Sequence, residues 1–295
     1  MMRRFCAYLE KVFDFSRHVS GLVDARQRPR ITTAAVWLSG FLMAVTRAGS
    51  LNAIAGVLRV PRRLESLVGS RKPSADTIAR VFARMDAAVL RGMLRAVNHQ
   101  LKRNKLLPLK RPLRFAALDG HEFFSLTKAL LPAVLPAPPY RQWRGGDRVL
   151  PRGRRLLSHT RECITKRQYR NGSRQAREEA RQWYWATTIS PSRLPVEALW
   201  EAAHARWEIE NDLFHNMSTH WSLDHCYAHE PAAILNFILT LFLAFLLVQT
   251  FHHRNLKPSL RARFTVIGLT DELRIGLGTL GPACVWAITL SLPGP

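Results

Sequence analysis

Cysteine is scarce in this 295-residue chain, and Cys6, Cys163, Cys226 and Cys284 show no C-x-x-C spacing. Neither a disulfide framework nor a cysteine zinc site is indicated, and a reducing cytoplasm is the default expectation. The chain also lacks a P-loop, a G-x-G-x-x-G fingerprint and a nucleophile elbow. Nucleotide-loop and serine-hydrolase chemistries therefore have no foothold. No signal-peptide apolar region opens the chain, because Glu10, Lys11 and Asp14 interrupt it. Acids are few as well: 21 Asp and Glu stand against 44 Lys and Arg, a formal net charge of +23.

That charge is unevenly placed. Residues 1–118 carry a net +17 and residues 141–182 a net +9, whereas residues 183–295 come to −2. A basic module beside an acid-bearing one suits a nucleic-acid enzyme, one part facing phosphates and the other holding cations. An arginine-rich composition with no such role gives the same total. The length allows two domains.

Residues 31–58 show helical spacing, with Ser50 placed to cap a short helix over 51–58. Pro61 stops that helix, and 62–68 has the pattern of another. Pro73-Ser74-Ala75-Asp76 is a helix start, with Ser74 as N-cap and Asp76 in the first turn. The helix that follows is predicted to run to about Asn104, with Ile78, Phe82, Met85, Val89, Leu90, Met93, Leu94 and Val97 inward. Its outer side carries Arg80, Arg84, Arg91 and Arg95, with Lys102 and Arg103 beyond them. Such a face fits a helical DNA-binding region, or a solvated bundle surface with no ligand.

Residues 113–118 have the character of a short strand ending at Asp119-Gly120, and 183–189 (W-Y-W-A-T-T-I) that of a second. An acid at the carboxyl end of a buried strand is where α/β sheets present catalytic groups; Asp-Gly is also a common turn pair. Between them, 125–182 shows little apolar periodicity and is expected to be an irregular basic insert. Residues 232–251 match a bilayer span in length, but Asn236, Thr240 and Gln249 interrupt them, as suits a buried core helix.

A helix is also predicted through Val196, Leu199, Trp200, Ala203, Trp207, Phe214 and Met217, an apolar stripe at i, i+3, i+4 and i+7. Glu210 falls inside that stripe. A carboxylate aimed at a core is costly unless it is paired or holds a metal. Arg206, one turn earlier, offers the pairing explanation; a site role is the other. The cluster His220, Asp224, His225, Cys226 and His229 is a further, weaker metal candidate.

Together these stretches resemble a family. A-A-L-D-G-H-E around Asp119, W-Y-W-A-T-T followed by A-R-W-E-I-E-N-D-L-F, and the tail running from W-S-L-D-H-C-Y are similar to insertion-sequence transposases of the DDE type. The closest pattern is the group with a Tyr-Arg-Glu-Lys signature, of which Arg206 and Glu210 match while Ala203 and Met217 replace the tyrosine and lysine. The resemblance implies an α/β, ribonuclease-H-like catalytic core preceded by an α-helical DNA-binding region. It implies a helical basic region over 1–110, a core over 111–260 and a tail over 261–295. It further implies Asp119 and Glu210 as catalytic acids holding Mg²⁺ or Mn²⁺, with Arg206 and Asn211 in support.

The partners implied are double-stranded DNA and a second copy in a homodimer, with no membrane, in the cytoplasm at the nucleoid. The resemblance also requires a second acid ending a buried strand midway between the other two, and no residue here answers that description: Asp147 has no apolar run before it, and Glu162 sits among polar residues. The core is therefore expected to be incomplete, as in an internally truncated or degenerate element. Two alternatives stand beside an active transposase: a catalytically dead DNA-binding remnant, and a membrane-anchored basic protein.

Overall fold

A computed structural model describes residues 1–60, 64–104, 156–170, 173–187, 192–195, 197–201 and 209–278, with backbone alone for 66–67, 156–170, 173–187 and 209–210. Seven helices come first: α1 Met2–Phe13, α2 Phe15–Ser20, α3 Thr33–Val45, α4 Leu51–Leu58, α5 Glu65–Val68, α6 Ala75–Arg84 and α7 Ala87–Arg103. Strands β1 Leu156–Arg170 and β2 Ser173–Thr187 follow. The chain then forms a π-helical turn, Ile209–Phe214, and the helices α8 His215–Trp221, α9 Pro231–Asn255, α10 Pro258–Arg263 and α11 Val266–Gly278.

Two compact units are present. The described part of the first is entirely helical and combines α1–α7 with α8–α11. Its centre is α3, buried from Ala34 to Val45 because nearly every residue is apolar or small. Thr32 starts it by accepting a hydrogen bond from the Ala35 N–H at 3.2 Å. Against α3 lies α9, the one helix among the described residues long and apolar enough to cross a membrane. Here it packs against α3, α6, α7, α11 and α1, which accounts for its composition. Its polar interruptions are internal fastenings: Trp37 Nε1 donates to Thr240 Oγ1 at 3.1 Å, and Thr240 Oγ1 donates to the Asn236 carbonyl at 2.7 Å. Gly40 lets the Phe82 ring approach α3, where it stacks on Phe237 with centroids 4.1 Å apart. Each fully buried side chain of this size stabilises the fold by about 1.5–3 kcal/mol.

The expected starts at Ser50 and Ser74 are formed, each serine accepting from the N–H three residues on. The single helix expected from 75 to 104 is instead two. Met85 is extended, and Asp86 starts α7 by accepting from the Ala88 N–H at 2.8 Å. The break is held from outside the local sequence. Asn236, fully buried on α9, donates through Nδ2 to the Phe82 carbonyl at 2.8 Å and the Met85 carbonyl at 3.0 Å. Met85 also forms an isolated antiparallel bridge with Asp24. The residues expected on the inner side are buried at Ile78, Phe82, Met85, Leu90, Met93 and Val97, with Val89 and Leu94 half-buried.

The described part of the second unit contains the β1–β2 pair, antiparallel from Leu156↔Thr187 to Arg170↔Ser173. Fifteen residues of ladder thus occupy a stretch whose sequence shows little apolar alternation. The strand expected at 183–189 coincides with the end of β2, while the one at 113–118 lies outside the described residues. The stretch expected as a tail contains α11, whose Leu269, Leu273 and Leu277 are buried.

Candidate functional site

Glu210 stands in the π-helical turn Ile209–Phe214, not in the regular α-helix that the apolar stripe suggested. A π-turn closes i→i+5 bonds, inserts a residue into the helical repeat and shifts the face on which every preceding side chain falls. Such turns occur frequently at functional sites. Asn211 lies in the same turn and is exposed. Asp119 and Arg206 lie outside the described residues, as does the side chain of Glu210.

The turn leads directly into α8, whose footing is well defined. Met217 and Trp221 are buried, and the Trp221 ring meets Phe245 edge-on at 5.4 Å. Ser222 closes the helix in the left-handed region at φ 53°, and the Leu223 N–H donates to the Met217 carbonyl at 3.1 Å. Arg47 adds a long-range tie. It too has a positive φ, 50°, which directs a largely buried guanidinium to the Thr270 hydroxyl at 2.6 Å, Asp271 at 3.1 Å and the His220 carbonyl at 3.4 Å. The end of α3, the last turn of α8 and α11 are thereby joined through one side chain.

The four arginines expected to face DNA are all exposed, Arg80 and Arg84 on α6, Arg91 and Arg95 on α7. Arg80 also donates to the Asp76 carbonyl at 3.2 Å, which ties it along its own helix. Sequence reasoning missed Lys11 and Arg17, which line a groove together with Arg95. The buried set Met2, Phe5, Cys6, Leu9 and Phe13 gave the signal, since its spacing marks α1 as amphipathic and turns Lys11 outward.

The histidine cluster does not make a metal centre: among the described residues no three His, Cys, Asp or Glu side chains converge. Cys226 Sγ lies 3.6 Å from His229 Nδ1 and 3.2 Å from the Ala228 carbonyl, and burial pushes its thiol pKa up, away from the thiolate a metal needs. Asp24 is held the other way. Burial favours its neutral form, but hydrogen bonds from Arg26 and Thr33 outweigh this and lower the carboxyl pKa.

A transposase DDE domain model matches residues 94–247, more than half of the chain, and spans Asp119, the β1–β2 pair, Glu210 and most of α9. The chain belongs to the insertion-sequence DDE transposases. No curated protein and no solved structure matches it significantly.

Proposed function

We propose that this transposase cleaves and joins DNA strands at the ends of its insertion sequence, with Asp119 and Glu210 as the acids of a ribonuclease-H-like core. The observation that carries this reading is the family match extending across both acids, with a π-turn at the second. Carboxylate oxygens are hard donors of the kind Mg²⁺ and Mn²⁺ take. Asp119 and Glu210 would hold the ions, which supply Lewis-acid stabilisation at the phosphodiester when bound. Arg206 would steady the Glu210 carboxylate or meet a phosphate, and Asn211 would support the same turn. The basic faces of α6 and α7 would hold duplex DNA, with a homodimer bringing two ends together at the nucleoid.

A second reading is favoured by a specific observation: no acid of this sequence follows a run of apolar residues midway between Asp119 and Glu210. Two carboxylates leave a two-metal site short of ligands, and a DNA-binding remnant without cleavage would follow. One experiment separates the two. The full chain is incubated with supercoiled plasmid carrying the element ends, with Mg²⁺ or Mn²⁺, beside Asp119→Ala and Glu210→Ala. The catalytic reading expects nicking by the parent, none by either variant, and DNA affinity retained by both. Cleavage at the parental rate by either variant would sink the assignment; binding without nicking by the parent establishes the remnant.

A further inference from the structure

We infer that the groove between the α1–α2 corner and α7 seats the phosphate backbone of one DNA strand, a reading that rests on the transposase function proposed above. The groove has a volume of about 600 Å³ and is lined on one side by Lys11, Arg17 and His18, on the other by Arg95, His99 and Arg103. Arg95, His99 and Arg103 recur at i, i+4 and i+8, so they form one stripe along α7. That stripe spans about 12 Å of helix axis, the axial length of roughly three to four phosphates of one strand.

The opposite wall exists because Asp14, at φ 48°, closes α1 and turns the chain into α2. The turn brings Lys11 and Arg17 to the same rim. Countercharge is nearly absent. Among the described residues Asp14 is the sole acid lining the groove, and it already pairs with Arg17 at 3.8 Å. The next acid, Glu10, is committed to Ser16, accepting from its N–H at 3.0 Å and its hydroxyl at 2.6 Å. Phe13 and Val97, which also line the groove, are buried and apolar, so neither offers the cations a partner. Cations facing each other across a water-filled groove repel, and a polyanion lying between them removes that repulsion.

The contact is to phosphate, so it is independent of base sequence and dependent on salt. The test measures binding of a fluorescent duplex by anisotropy over a series of salt concentrations. It compares the full chain with Arg95→Gln/Arg103→Gln, Lys11→Gln/Arg17→Gln and the charge-keeping Arg95→Lys/Arg103→Lys. Each Gln pair should lower the slope of log K against log salt by about 1.8, which is roughly 60-fold in affinity at 0.1 M salt relative to 1 M. The Lys pair should keep the parental slope. Parental binding with unchanged slopes in both Gln pairs overturns the groove and leaves the transposase reading standing. No DNA binding by the parent overturns both. A Gln pair that weakens binding by a constant factor at every salt concentration also refutes the groove, since lost phosphate contacts must change the slope.

Discussion

Replacing Asn236 tests how the helical unit is fastened. Its amide donates to the Phe82 and Met85 carbonyls at 2.8 and 3.0 Å, and the residue is fully buried. In Asn236→Leu both carbonyls lose their donor, at about 1–3 kcal/mol for each buried group left unsatisfied. Part is recovered, because Asn236 Oδ1 is itself buried without a hydrogen-bond partner and its removal ends that desolvation cost. The net loss should be about 2–4 kcal/mol, which lowers Tm by roughly 4–16 °C for a domain of this size. Urea unfolding followed by circular dichroism at 222 nm reads it as a lower midpoint at unchanged m-value. Gln249→Ala, a half-exposed change on the same helix, should stay within about 0.5 kcal/mol. Asn236→Asp adds a diagnostic sign: a carboxylate facing two carbonyl oxygens is repelled, whereas the protonated acid can donate one bond. That variant should regain stability as pH falls. If Asn236→Leu unfolds at the parental midpoint, the two bonds do not hold the α6–α7 break.

Further outcomes follow from packing and charge. Gly40→Ala places a methyl 2.5 Å from Phe82 Cζ, so it should cost about 1–3 kcal/mol in urea unfolding, and Phe82→Leu in the same chain should restore part of it. Asp24, with its carboxyl pKa lowered in the fold, contributes stability that is present above the ordinary carboxylate pKa and lost as pH falls through the folded one. Asp24→Asn should therefore flatten the acid limb of a stability–pH curve below about pH 4; an unchanged limb would show that the pairing with Arg26 and Thr33 carries no such linkage.

Much of the helical unit was legible because its signals are local. Ser50 and Ser74 cap through bonds spanning three residues, and the inner face of α6 and α7 follows a 3.6 period. The break at Met85 was not legible, since periodicity continues across it and its decisive partner lies more than 150 residues away. Only Asp86, an able N-cap, hinted at it. The β1–β2 pair escaped notice because basic residues hide its alternation; the overlooked signal was Asn171-Gly172, falling between the paired ends Arg170 and Ser173. Glu210 stood out as an acid in an apolar stripe, but a π-turn has no comparable sequence mark, so the regular helix assumed there was wrong in its register.

The fastening of α3 and α6 to α9 also sets a schedule for biosynthesis. Over a hundred residues separate the end of α7 from the start of α9. At about 5–20 residues per second, a ribosome needs roughly 6–25 s to cover that distance. Until then α3 has no partner for Trp37 Nε1, and the carbonyls at Phe82 and Met85 have no donor from Asn236. The arginine-bearing helices thus acquire their final arrangement only after the stretch containing Asp119 and Glu210 has been translated. A chain halted before α9 would carry the same basic residues without the core that holds them.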